Sequence, residues 1–195
     1  NITKEKIPNL KSEKEYNTLL NKIYSISDES LYHVYNALDS IKSANNISQL
    51  KFPEVIVSMI QHIPYYAILD KTCNPFSYQD ETMRQLLMNN PCQGHVKHGI
   101  KTPAEFLKDL KGDCDSRTLL LYAVLKHYKY DVAIFGSRIY KHSILGINIP
   151  SINNGIYKIV DDKKYYLWET TNKGFQMGAI PKDISNTNYW QLNLK

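Results

Sequence analysis

The stretch TLLLYAVL, residues 118–125, constrains the fold more than any other part of this 195-residue chain. It follows a glycine break at Gly112 and the polar run Asp113, Cys114, Asp115, Ser116, Arg117, and its apolar side chains spread over most faces of a helix. A helix with one apolar stripe lies on a surface, whereas one apolar most of the way round has to be enclosed by other elements. The chain is therefore expected to build itself around this helix, with Cys114 in its first turn.

The residues before it read as helical. Residues 11–25 and 30–45 carry apolar side chains near helical spacing, with Ser and Asp close to their starts as caps. Asn45, Asn46 and Ser48 mark a break. Pro53 opens a helix over 54–61, ended by the Ile63, Pro64, Tyr65 turn because proline disfavours helix in its predecessor. This sets Gln61 at a helix end. Residues 70–99 mix Asn, Pro, Gly, Cys and His around one short helical candidate, 80–88, so a long loop with a helical insert is expected. A short helix over 104–110 follows Pro103 and is closed by Gly112.

Beyond His127 the pattern turns to β. Segments 131–135, 143–149, 156–160 and 164–170 are rich in β-branched or aromatic residues and separated by turn residues, among them Asn153, Asn154, Gly155, Asp161 and Asp162. The expectation is an α+β architecture, helices first and an antiparallel sheet after. It divides into a helical extension over residues 1–50 and a main domain over 51–195.

A chain of this length buries a core without metal or disulfide staples. The net charge of +5 is spread over interspersed Lys and acidic residues with no arginine-rich arm, which argues against nucleic acid as a partner. Apolar runs such as 55–60 and 119–121 are too short to cross a bilayer. With no Gly-rich phosphate loop and no HExxH helix, no cofactor is expected. The start at Asn1, without Met or a charged-then-apolar leader, fits earlier removal of a signal or anchor.

Three cysteines leave two readings open. Cys114 is a reactive thiol and Cys73 pairs with Cys92, which would favour an extracytoplasmic setting, periplasmic or surface-exposed, or the latter two are unpaired loop thiols. Cys92, His95 and His98, with Cys73 as a fourth ligand, form a competing zinc set, but they lack the paired spacing of regular zinc sites.

The first turn of a helix presents unpaired N–H groups and partial positive charge, which lowers a thiol pKa and favours the nucleophilic thiolate. That makes Cys114 a candidate nucleophile, against the plain reading of a small apolar residue closing a helix start. His142 opens the apolar strand HSILGINI and has the pKa range for taking a thiol proton. Glu169, at the end of KYYLWETT, shares a face with Tyr165 and Leu167, and its carboxylate on a following strand is suited to orient an imidazole. For Asp113, Asp115, Ser116 and Arg117 the reading is capping and a local Asp to Arg pair. Tyr166 and Trp168 read as core packing.

This order, nucleophile at a helix start and then base and acid on successive strands, resembles the transglutaminase-like branch of the papain-like superfamily. The wording that carries it is GDCDSRTLLLYAVLKHYKYDVAIF, then KHSILGI, then YYLWETTNKGFQMGAIP. The nearest look-alike group is the bacterial transglutaminase-like cysteine proteinases, and the resemblance covers residues 52–181. It implies Cys114 as nucleophile, His142 as base and Glu169 as orienting acid, where the wider family more often has Asp. By the segment VIVSMIQHIPYY it also implies Gln61 as an oxyanion-hole donor beside the Cys114 backbone N–H. The implied activity is thiolate attack on a protein or peptide substrate, a thioester acyl-enzyme and release to water, as in a cysteine peptidase, isopeptidase or amidase. Transfer to an amine, and a catalytically silent interaction module on the same fold, are the alternatives.

Overall fold

The computed structural model describes residues 12–149 and 154–195; Lys11 and Asn153, included in the helix and turn readings above, lie outside them. The chain runs α1 (Glu13–Ser25), α2 (Tyr32–Ala44), α3 (Phe52–Gln61), β1 (Ala67–Ile68), α4 (Glu81–Asn89), β2 (Cys92–Gln93), α5 (Pro103–Asp109) and α6 (Cys114–His127). Then come β3 (Asp131–Ser137), β4 (His142–Asn148), β5 (Tyr157–Val160), β6 (Lys163–Trp168) and β7 (Gln191–Leu194). Helices thus combine with an antiparallel five-stranded sheet of order β5-β6-β4-β3-β7, as an α+β reading requires.

Helix α6 is buried along nearly its whole length: Leu119, Leu121 and Leu125 are fully enclosed, and even Arg117 and Thr118 have no exposed surface. Each such apolar side chain contributes about 1.5–3 kcal/mol on leaving water. The run therefore dominates the caps and turns in deciding where the helix lies. Around it one apolar cluster collects Leu19, Leu20 and Ile23 of α1, Ile56, Val57 and Ile60 of α3, and Val132, Ile134, Leu145 and Ile147 from one face of the sheet. The N-terminal helices thus share this core. The opposite face packs Phe135, Ile144, Tyr165 and Leu167 with Trp190 into a second cluster.

Local chemistry explains the boundaries. Ser12 caps α1 through the Glu15 N–H, and Thr102 with Glu105 forms a reciprocal capping box at α5. Helix α5 ends one step earlier than the glycine break suggests. Leu110 takes the left-handed conformation, φ 55°, and returns its N–H to Phe106 O. Gly112 has a different reason to be glycine: a Cβ there would lie 2.3 Å from the Phe106 ring. That close approach sets the backbone entering the Cys114 turn.

The sequence pattern misses two features. The two-residue parallel pair β1–β2 is too short to show any periodicity. Strand β7 crosses back from the far end of the chain to pair with β3. Helix α1 then rests on β7, where Asn193 donates to Asn17 Oδ1 at 2.9 Å. Among the described residues no helix is long and apolar enough to cross a membrane.

Candidate active site

Cys114 is the first residue of α6, held by the cap that precedes it. Asp113 Oδ1 accepts from the Ser116 N–H at 3.1 Å and from the Ser116 hydroxyl at 2.8 Å. Arg117 does not make the Asp to Arg pair expected of it. Its guanidinium is spent on backbone carbonyls, Gly112 at 3.0 Å, Ile60 and Ile63 at 2.8 Å and Pro64 at 2.6 Å, so it ties α6 to the end of α3 and the turn after it.

His142 opens β4 and Glu169 immediately follows β6, the strand paired with β4. Strand pairing brings them together: His142 Nε2 lies 2.9 Å from Glu169 Oε2, with Glu169 only 1% exposed. The other carboxylate oxygen accepts from the Thr171 N–H and hydroxyl, both at 2.6 Å. Burial alone would raise the Glu169 pKa, but the bonds from His142 and Thr171 outweigh it and hold the group below the ordinary carboxylate value. An ionised Glu169 makes Nε2–H the donor, so in the neutral ring Nδ1 is the free base. The Trp190 ring stands edge-on to the imidazole at 6.1 Å and is itself buried.

The link from this pair to Cys114 is the residue after His142. The Ser143 backbone N–H acts to lower the Cys114 thiol pKa, and Thr118, one turn along α6, donates to Ser143 O at 3.4 Å. The electrostatics at the sulfur differ from the helix-terminus expectation. Burial pushes the Cys114 thiol well up, and the Asp115 and Asp113 carboxylates push it further, against the Ser143 N–H. The thiol is therefore protonated at rest: a partial charge at a helix end is smaller than the cost of burying a thiolate between two acids. Asp113 is itself raised to about 7 by burial and by Asp115.

Gln61, implied by resemblance as an oxyanion donor, has its side-chain amide engaged with backbone carbonyls. Its Nε2 donates to Glu169 O at 2.7 Å and to Phe175 O at 2.9 Å, so both amide protons hold the segment that carries the acid. Trp168 donates to the same Phe175 carbonyl at 2.8 Å and packs in the main core, as read.

The competing zinc set loses its sulfurs, because Cys73 and Cys92 are joined in a disulfide. Sequence reasoning missed Tyr16. Its hydroxyl donates to Asp115 Oδ1 at 2.8 Å from α1, a helix outside the span of the resemblance. Thr171 was in plain view in the ETT motif, but only the folded turn shows that it secures Glu169.

Two clefts meet at His142. One, about 550 Å³, is lined by Glu13 and Tyr16 of α1 together with Asp115, Arg138 and Lys141. The other, about 370 Å³, lies between Tyr65, Tyr140 and Thr171 on one side and α4 on the other. Compared with protein-family models, with curated proteins and with solved structures, the chain matches none.

Proposed function

We propose that this chain is a cysteine-dependent acyl hydrolase of the papain-like, transglutaminase-like type, cleaving a peptide, isopeptide or related amide bond through Cys114, His142 and Glu169. The observation that supports the reading is the His142–Glu169 pair at 2.9 Å, its carboxylate buried and its imidazole at the edge of two clefts, with the backbone of the next residue, Ser143, acting on the Cys114 thiol. A carboxylate this deeply buried, bonded to imidazole and otherwise saturated by Thr171, is costly as mere structure and well suited to fixing a base.

Catalysis starts from a neutral thiol. Nδ1 of His142 takes the Cys114 proton as the sulfur attacks the carbonyl carbon, and Glu169 stabilises the imidazolium that forms. The imidazolium returns the proton to the leaving amine, the C–N bond breaks and a thioester remains. Water, deprotonated by the same imidazole, then releases the acid and restores the thiol. The Cys114 backbone N–H at the helix start serves the developing oxyanion, and Gln61 acts as a positioning residue for Glu169. An amine in place of water gives the transferase reaction by the same steps. The Cys73–Cys92 disulfide fits an oxidising compartment.

The test is labelling by a peptide-acyl electrophile, read by mass spectrometry on wild type, Cys114→Ala and His142→Ala. Wild type should acylate at Cys114 at least about a hundredfold faster than free cysteine, and His142→Ala should lose most of that gain. Labelling at the free-cysteine rate, unaffected by His142→Ala, would sink the proposal. Supplying an amine and scoring conjugates against free acid separates transfer from hydrolysis.

A further inference from the structure

The 370 Å³ cleft beside His142 owes one whole wall to an element that the core does not explain. Helix α4 buries only Leu87. Its half-buried Met83 and Leu86, three residues apart on one face, both line the cleft, as does Asn90, the extended residue that follows the helix. The segment is nevertheless tethered with some care. The Cys73–Cys92 disulfide closes the loop that contains it, and Asp80 both caps α4 through the Met83 N–H at 3.1 Å and pairs with Lys141, the neighbour of His142. Gly94 lets the tether close. A Cβ there would meet Lys71 O at 2.6 Å and the Cys73 sulfur at 3.3 Å. The far end is tied next to the nucleophile, since Tyr66 donates to Gly112 O and β1 pairs with β2.

The chemistry of this cleft contrasts with that of its neighbour. The 550 Å³ cleft mixes Glu13 and Asp115 with Arg138 and Lys141. Among the described residues, the α4 cleft is lined by no carboxylate, and the Lys141 ammonium at its rim is already paired with Asp80. Apart from His142, already bonded to Glu169, what remains is tyrosine, methionine, leucine and neutral hydrogen-bonding groups. Burying an unpaired charge there is costly, whereas an apolar or aromatic side chain gains contact with Met83, Leu86 and Tyr140.

The geometry points to this cleft as a side-chain subsite for an uncharged apolar or aromatic residue of a polypeptide substrate, with the disulfide-closed α4 segment as its wall. The inference rests on the acyl-transfer reading of Cys114 and His142 for what is bound, but its test does not use turnover. Full-length Cys114→Ala is titrated with end-capped Gly-X-Gly tripeptides, X being Leu, Tyr, Lys or Glu, while the Met83 methyl resonance is followed by NMR. The Leu and Tyr peptides should shift that resonance and bind about tenfold or more tighter than the Lys and Glu peptides. Leu86→Glu in the same background, on a half-exposed position, should reverse the order of Leu and Lys. Cys73→Ser/Cys92→Ser should shrink the preference to below about threefold. Equal binding of all peptides, shifts confined to other methyls, or a preference untouched by all these substitutions would overturn the assignment. Loss of Cys114 reactivity in the labelling test would instead remove the catalytic reading and leave these binding results standing.

Discussion

Asp113→Asn should make the protein more stable at neutral pH and its cysteine more reactive at the same time. Asp113 is 7% exposed, with a pKa raised from 3.8 to about 7. In that interval the folded state keeps a proton that the unfolded chain has released, so it binds more protons and stability falls as pH rises. The contribution is greatest below about pH 4 and is lost by about pH 7. A separation of about three pKa units corresponds to about 4 kcal/mol at most. Asparagine keeps the cap, because its carbonyl oxygen still accepts from the Ser116 N–H and hydroxyl, and it removes the titrating proton. Denaturant unfolding from pH 4 to pH 8 should show a declining stability for wild type and a flatter profile for Asp113→Asn, the variant being more stable at pH 8 by up to about 4 kcal/mol. Because the Asp113 carboxylate also raises the Cys114 thiol, the midpoint of iodoacetamide labelling against pH should fall in the variant. Identical stability profiles for the two proteins would refute the buried-acid reasoning, whatever the labelling shows.

Glu169→Gln should slow Cys114 acylation by about a hundredfold or more at neutral pH, because a neutral amide neither fixes the His142 tautomer nor stabilises imidazolium. Since the Glu169 pKa is depressed, the stability it contributes is present above about pH 4.5 and is lost as pH falls through the lowered value. The same substitution should abolish that part of the acid unfolding, measured by circular dichroism. Arg117→Lys leaves a buried cation able to reach only part of the carbonyl set on Gly112, Ile60, Ile63 and Pro64, and should cost about 3 kcal/mol in denaturant unfolding. Gly112→Ala drives a methyl into the Phe106 ring and should cost about 1–3 kcal/mol, with a loss of Cys114 labelling rate from the shifted helix start.

How much was legible beforehand follows from which forces are local. The apolar run of α6, the caps of α1 and α5 and the alternation of β6 are written in adjacent residues, so Cys114 at a helix start and His142 at a strand start could be read directly. Alternation also separated Tyr165 and Leu167 from Trp168, which enter different clusters. Whether Glu169 meets His142 depends on β4–β6 register, which two short strands specify only when paired. The direction of the Cys114 pKa, the diversion of Gln61 onto Glu169 and Phe175, and Tyr16 reaching Asp115 across the chain have no local signal at all. They come from burial and from neighbours brought close by folding. The sequence by itself determined that the chain wraps a buried helix headed by Cys114, because burying that apolar run outweighs every local preference around it. Only the tertiary structure decided that burial and the Asp115 and Asp113 carboxylates push the Cys114 thiol up, and that His142 stands at the edge of a cleft with a disulfide-held wall, because desolvation and charge depend on distance in space and not along the chain.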